Sequence, residues 1–270
     1  MKKRLLSLLL ALAMCLSLSV PVWANPTLLS TQAKADHLIE HGIPQNIVED
    51  MTPATIDALY SETLNNCVTL VSHVEQPGLI TIPNGELCPR IVSDGDFTLS
   101  LSVYASNDSA GNFLYYFVTS QYQWDSIPNH HYVDAMYLDW PRNYLTLDGD
   151  SFHYSPYYKL TNGSWTYDTA TATSDPSIAI QGGVGLVFDL KDAVLPTDDF
   201  YYYKGSITFR LLKASPSSTG NTVQINTNYA HTVNSTGGKT ITVGSSGVSL
   251  DFVCEKEYQR QAKAVTVTIP

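Results

Sequence analysis

The chain has 270 residues, of which 44% are hydrophobic and 15% are charged, and its formal net charge is -10. This composition excludes a charge-rich disordered tail and a coiled coil, because both contain far more charged residues. It also argues against nucleic-acid binding, since that affinity comes from clustered Lys and Arg, and the basic residues cluster only in the first four positions. We therefore expect no nucleic-acid partner.

Residues 1–24 have the pattern of a secretory signal peptide. Lys2, Lys3 and Arg4 precede the apolar run Leu5–Leu18, and the segment closes at Ala24 after small and apolar residues. A retained membrane anchor is disfavoured because the run is short for a bilayer and is followed by polar residues and a proline. We predict cleavage after Ala24, a secreted or extracellular protein, and no transmembrane segment in the mature form.

Cleavage would leave Cys67, Cys88 and Cys254 in an oxidising compartment. A disulfide between Cys67 and Cys88 is the preferred pairing because these residues flank a short segment containing Pro and Gly, and closing that loop would contribute roughly 3 kcal/mol. A bond between Cys88 and Cys254, or three reduced cysteines, are the alternatives. The spacing matches no metal-binding motif, so neither a metal nor another cofactor is expected.

Residues 25–64 carry apolar side chains at helical intervals. They are Ala35, Leu38, Ile39, Ile43, Ile47, Val48, Met51, Ile56, Leu59 and Tyr60. Gly42 and Pro44 indicate a break between helices, and Thr52 followed by Pro53 is typical of a helix start. We predict a small helical element that packs on the following domain, with a partner-binding helical hairpin as the alternative.

Beyond residue 65 the hydrophobic period changes from helical to two. In residues 97–103 apolar side chains alternate with Thr and Ser, and a turn-rich segment at 107–112 separates this run from an extended aromatic run at 113–124. Similar runs follow at 132–140, 178–190, 201–212, 222–233, 239–243, 248–254 and 264–269. The pattern predicts a mainly β protein, with an antiparallel β-sandwich of jelly-roll or Ig-like type over residues 65–270.

Three short motifs are similar to ligand loops but favour structural interpretations. Gly182–Gly185 is followed by no helix and contains no lysine, so a β-bulge or a close approach of strands is favoured over a phosphate loop. Asp94–Asp96 and Asp148–Asp150 are similar to fragments of calcium loops. Because Asp-Gly is also a common turn signal, turns are favoured there.

The segment from residue 122 to residue 140 is the densest in aromatic and acidic side chains. Aromatic faces beside hydrogen-bonding groups suit a sugar, whose C–H face stacks on a ring. We therefore predict a ligand-binding surface that includes Trp124, Trp140, Asp134, Asp139, Tyr157 and Tyr158. The structural alternative is that these rings cover the sandwich edges and stabilise cross-strand pairs.

Three groups of residues resemble a group of secreted, uncharacterised β-rich proteins of Gram-positive bacteria. The groups are Leu38–Pro44 with Met51 and Leu59–Tyr60, then Tyr122–Trp124 with Pro128 and Asp134–Trp140, and Tyr229–Thr232. The resemblance covers scattered motifs and implies no particular activity, cofactor or catalytic residue. It does imply an exported bacterial protein, in which Asn107, Asn162 and Asn234 would stay unglycosylated despite their N-x-S/T context.

These patterns favour a secreted, non-catalytic binding or interaction module whose ligand is an extracellular polysaccharide, the cell envelope or a protein. A hydrolase of glycosidase or esterase type on the same sandwich is the first alternative, with Asp134 or Asp139 as the acidic group. No catalytic motif is present, so no catalytic residue is assigned. The second alternative is a β-pore-forming protein, because residues 220–250 form alternating hairpins rich in Ser and Thr.

Overall fold

The computed structural model describes residues 29–77, 97–125, 133–160, 163–180, 182–190, 201–232, 242–244, 247–249 and 258–270. The signal peptide predicted for residues 1–24 lies outside these ranges, as do Cys88, Cys254 and the turn at Asp94–Asp96. Cys67 is exposed at the start of the first strand, and its pairing with Cys88 stays a prediction.

Three helices precede the first strand in the described residues: α1 (Thr31–Glu40), α2 (Gln45–Asp50) and α3 (Pro53–Asn65). The strands are β1 (Cys67–Pro77), β2 (Phe97–Asn107), β3 (Phe113–Trp124), β4 (Val133–Asp139), β5 (Leu145–Leu147), β6 (His153–Leu160), β7 (Thr166–Tyr167), β8 (Ile178–Ile180), β9 (Gly183–Asp189), β10 (Tyr201–Lys213), β11 (Thr222–Thr232), β12 (Thr242–Gly244), β13 (Gly247–Ser249) and β14 (Tyr258–Thr268). The predicted combination of a short helical element and a mainly β domain is confirmed.

The strands form two antiparallel sheets and a separate hairpin. The first sheet has the order β1-β2-β3-β10-β6-β7, with β5 also paired to β10, and the second has the order β14-β11-β4-β9-β8. Strands β12 and β13 pair only with each other in the described residues. Strand β11, which begins the segment considered for pore formation, is an interior strand of the second sheet with a partner on each side.

The main hydrophobic core lies between the two sheets, as the predicted sandwich requires. The first sheet contributes Phe97, Leu99, Leu101 and Val103 from β2, which are the alternating residues of the sequence pattern. The second sheet contributes Met136, Leu138, Val184, Leu186, Ile225 and Val267 among others. The period of two therefore identified the inner face of β2 correctly.

A second core covers the outer face of the first sheet. The apolar sides of the helices pack there against Val68, Tyr104 and Phe117. Helix α3 is also fixed by polar contacts, because the buried carboxylate of Glu62 accepts a hydrogen bond from Arg210 Nε on β10 at 2.9 Å and another from the Tyr115 hydroxyl on β3. The first sheet is therefore covered on both faces over part of its area.

The start of α3 follows the pattern that the sequence indicated. Thr52 is the N-cap, its Oγ1 accepts a hydrogen bond from Thr55 N at 3.1 Å, and Pro53 occupies the first helical position. Thr52 also contacts the sheet, since its backbone N–H donates to Gln121 Oε1 at 2.7 Å and its hydroxyl lies 2.8 Å from Ser206 Oγ. The cap therefore both starts the helix and docks it.

The glycine-rich segment allows a close approach of strands, which is one of the two structures favoured for it. Gly182 has a φ of +98°, and a Cβ atom there would lie 2.9 Å from Trp140 O. Gly185 on β9 would place a Cβ atom 3.1 Å from Tyr137 Cβ on β4. The Asp148–Asp150 segment also forms a turn, with a 3-10 helix at Gly149–Ser151. In the described residues no helix is long and apolar enough to cross a membrane.

Candidate ligand-binding groove

Two of the predicted ligand residues belong to a polar cluster inside the sandwich. The Trp124 indole N–H donates to the Tyr229 hydroxyl at 2.9 Å, and that hydroxyl donates to Asp134 Oδ2. Asp134 Oδ1 lies 2.7 Å from His231 Nδ1. Trp124 and Asp134 are each 0% exposed. The Trp124 ring therefore takes the structural role that the sequence left as the alternative, because its indole N–H has a buried partner and its faces pack in the core.

Trp140 is buried as well, and its indole N–H donates to Leu145 O at 3.2 Å. Asp139 is partly buried, and its Oδ1 accepts a hydrogen bond from Asn226 Nδ2 at 2.6 Å. Asp134 and Asp139 are five residues apart on β4, so their side chains lie on opposite faces of the strand, about 17 Å apart along it at ~3.4 Å per residue. Two glycosidase carboxylates lie much closer together, so this pair does not form such a site.

The predicted tyrosines lie away from these residues, on β6. The Tyr157 hydroxyl accepts a hydrogen bond from Ala54 N at 2.9 Å, which ties the sheet to the first turn of α3. The Tyr157 ring is 5.2 Å from the ring of Tyr167 on β7. Tyr158 is half-buried against the sandwich core. The structure therefore does not bring the six predicted residues together into one surface.

Burial keeps the tyrosine hydroxyls of these clusters protonated. It raises the pKa of Tyr157 to about 12. The pKa of Tyr229 is raised well above its usual value, first by burial and then by the charge of Asp134. Both hydroxyls are therefore hydrogen-bond donors throughout the neutral pH range.

A surface groove of about 400 Å³ lies between α3 and the outer face of the first sheet. It is lined by Ala54, Asp57, Ala58, His153, Tyr154, Ser155, Tyr167, Ala172, Thr173, Ser174 and Thr208. We call it the hydroxyl groove, because four of these side chains are serines or threonines. Its volume is within the range of small-molecule sites.

The floor and rim of the hydroxyl groove differ in polarity and exposure. Ser155 on β6 and Thr208 on β10 are 8% and 5% exposed and form the floor. In the described part of the chain, neither hydroxyl makes a hydrogen bond. Tyr167, 43% exposed, and the exposed residues His153 and Asp57 form the rim. Both hydroxyls line the groove, so they have spare hydrogen-bonding capacity for a ligand.

Sequence reasoning missed this groove because it depends on the helical element. Ser155 and Thr208 are polar positions on alternating strands, and the pattern assigns such residues to a solvent face. Helix α3 covers that face and converts part of it into the wall of a cleft. One feature of the sequence could have indicated the groove. The strands carry Ser and Thr instead of charged residues on the face that an amphipathic helical element would cover.

No protein-family model matches the sequence, and no curated protein matches it. Among solved structures, the collagen-binding domain from a Staphylococcus aureus adhesin is 10% identical, with a TM-score of 0.27 over 56% of this chain and 87% of that chain. The KRT10-binding region domain of the pneumococcal serine rich repeat protein PsrP is 10% identical, with a TM-score of 0.26 over 61% of this chain and 87% of that chain. At these TM-scores the two likenesses carry no argument about function.

Proposed function

We propose that the protein is an exported, non-catalytic binding module whose ligand is an extracellular carbohydrate, held in the hydroxyl groove. The observation that carries this proposal is the pair of unpartnered hydroxyls on the groove floor, Ser155 and Thr208, in the same groove as the exposed ring of Tyr167. A sugar matches this arrangement, because its hydroxyl groups can both donate to and accept from Ser and Thr. Its C–H face can stack on an aromatic ring.

The rim residues support the same class of ligand. Tyr167 is held by its ring contact with Tyr157, whose own hydroxyl is fixed by Ala54 N. A supported ring loses little conformational entropy when a ligand stacks on it. Asp57 accepts a hydrogen bond from Lys34 at 2.9 Å and presents a carboxylate to the groove, which suits a sugar hydroxyl donor.

The test is retention of the purified protein on insoluble cell walls and polysaccharides. We expect Tyr167→Ala to weaken binding about fivefold, since a stacked ring contributes roughly 1 kcal/mol. Ser155→Ala, as a separate single variant, should also weaken binding, because it removes a hydroxyl from the groove floor. Leu114→Ala is the matched control, because Leu114 is another exposed apolar residue and lies on β3, outside the groove.

Measuring released sugar in the same samples separates a binder from a hydrolase. Binding without release supports the proposal. Soluble sugar that accumulates in proportion to protein and time would indicate a hydrolase and contradict it. Binding that is unchanged in both Tyr167→Ala and Ser155→Ala would also contradict it. No retention on any of the cell walls or polysaccharides also contradicts it.

A further inference from the structure

A second cavity, of about 190 Å³, lies on the outer face of the first sheet near the end of α2. Its floor contains Lys204 from β10 and Gln121 from β3, and its rim contains Asp50, Glu75 and Asp125. We call it the Lys204 pocket. None of these residues lines the hydroxyl groove.

Lys204 is an ammonium group with a buried stem and no anionic partner in contact. The residue is 5% exposed. Among the described residues, its Nζ forms neither a hydrogen bond nor an ion pair, and it lies 5.9 Å from the centroid of the Trp165 ring. Buried charges are normally paired, so the Lys204 ammonium is available to an anionic group of a ligand inside the pocket.

Gln121 adds a second donor at the same floor. Its Oε1 accepts the hydrogen bond from Thr52 N, a group that can only donate, so the amide orientation is fixed. The Gln121 NH₂ group can therefore donate to a ligand, because it has no hydrogen-bond acceptor in the described part of the chain. Two donors on adjacent strands, one of them charged, match the two oxygens of a carboxylate.

The rim has the opposite charge. Asp50 and Glu75 lie close enough for the charge of Asp50 to raise the pKa of Glu75, after the larger effect of burial. The imidazole of His73 is 4.0 Å from Glu75, but burial lowers the pKa of His73, so the ring is neutral at pH 7. The rim therefore places three carboxylates at the mouth of a pocket with a cationic floor, and in the described residues none of them is in ion-pair contact with Lys204 Nζ.

From this arrangement we propose that the Lys204 pocket binds a small zwitterion of the α-amino acid type. The ligand carboxylate contacts Lys204 and the Gln121 amide, and the ligand ammonium lies between Asp50 and Glu75. The size of the cavity favours a molecule of few heavy atoms, since drug-sized ligands occupy at least about 300 Å³. The proposal is independent of carbohydrate binding at the hydroxyl groove.

The test is an NMR-detected titration of the purified protein with L-alanine and D-alanine, and separately with propionate and ethylamine, which each retain one of the two charges. We expect at least one alanine enantiomer to bind with a Kd at least tenfold lower than either propionate or ethylamine. Lys204→Met should raise that Kd at least tenfold, and Glu75→Gln should raise it severalfold. Lys159→Met is the control, because Lys159 is a nearby lysine on β6 outside the pocket.

We expect the Lys204→Met protein to fold, because the substitution removes a buried charge. Glu75→Gln changes only the exposed rim, so it tests the site even if Lys204→Met does not fold. No saturable binding of either alanine would overturn the proposal. Equal affinity for propionate would show a simple anion site, and an unchanged Kd in both variants would place the ligand elsewhere. Carbohydrate retention should be the same in wild type and Lys204→Met, so failure here is distinct from failure at the groove.

Discussion

The side chain of Trp124 shows how one residue's environment decides between a binding role and a structural one. Its ring packs 4.7 Å from the Phe97 ring and 5.0 Å from the imidazole of His231. Its N–H is bonded to Tyr229, which in turn is bonded to the buried carboxylate of Asp134. A tryptophan with this set of contacts stabilises the sandwich and has no face left for a ligand.

We therefore expect Trp124→Ala to lower the free energy of unfolding by about 3–5 kcal/mol, because it leaves a large cavity and removes the partner of Tyr229. Urea denaturation followed by circular dichroism measures this loss. Tyr167→Ala is the comparison, since its exposed ring should change stability by less than about 0.5–1 kcal/mol. A Trp124→Ala protein that is as stable as wild type would contradict the core assignment.

Gly205 is a second residue whose role depends on a contact across the sheet. It lies on β10 opposite Tyr122 of β3, and a Cβ atom there would lie 2.5 Å from the Tyr122 ring. That ring is held in place by a hydrogen bond of 2.9 Å between the Tyr122 and Tyr154 hydroxyls. The absence of a side chain at position 205 is what lets the ring lie flat against the strand.

Gly205→Ala should consequently destabilise the protein by about 1–3 kcal/mol, the usual cost of forcing extra volume into a packed core. The midpoint of thermal unfolding gives the readout. Gly111→Ala is a useful contrast, because Gly111 has a φ of +85° but open space around it, so its cost comes from backbone strain alone. If Gly205→Ala unfolds at the wild-type temperature, the Tyr122 ring does not occupy this position.

At the scale of elements, α3 connects the helical part of the chain to the sandwich. Glu62 near its end is buried and accepts hydrogen bonds from Arg210 and Tyr115, while Thr52 at its start contacts Gln121 and Ser206. Both ends of the helix are therefore attached to the first sheet. Helix α3 forms one wall of the hydroxyl groove. Its N-cap residue Thr52 binds Gln121, which lines the Lys204 pocket, so both sites depend on this attachment.

Glu62→Ala should lower the free energy of unfolding by about 1–3 kcal/mol, because Tyr115 and Arg210 lose their buried acceptor while the Arg210 side chain, 39% exposed, stays accessible to water. Hydrogen exchange of α3 amides should accelerate more than exchange in β11, because the helix loses its anchor while the second sheet keeps its core. Asp57→Asn is the matched control on the same helix. Asp57 is exposed in its ion pair with Lys34, so we expect less than about 1 kcal/mol.

For the whole molecule, the sequence predicted what depends on neighbouring residues and missed what depends on distant ones. The alternation at 97–103 identified the strand and its inner face, and Thr52 and Pro53 identified the start of α3. Strand β3 carries aromatic residues on both faces, so its pattern could not show that Trp124 is on the buried one. The pairing of β3 with β10 joins residues about 80 positions apart and creates the Lys204 pocket, which local periodicity does not contain.

The buried ammonium of Lys204 should also make the stability of the whole protein depend on pH. Burial lowers the pKa of Lys204 to about 8 from 10.5; Asp50 and Asp125 partly oppose this effect, and Lys159 adds to it. The unfolded chain therefore binds more protons than the folded one between these two pKa values, so stability rises with pH in that window. The expected gain between pH 7 and pH 9.5 is about 2 kcal/mol.

Urea denaturation of wild type and Lys204→Met at both pH values measures this difference. The variant should be the more stable protein at pH 7, and its advantage should shrink by about 2 kcal/mol at pH 9.5, since the neutral amine no longer opposes burial. Other groups that titrate in this range contribute equally to both proteins and cancel in the comparison. An advantage that stays constant with pH would mean that Lys204 keeps its ordinary pKa and that its ammonium is solvated in the folded protein.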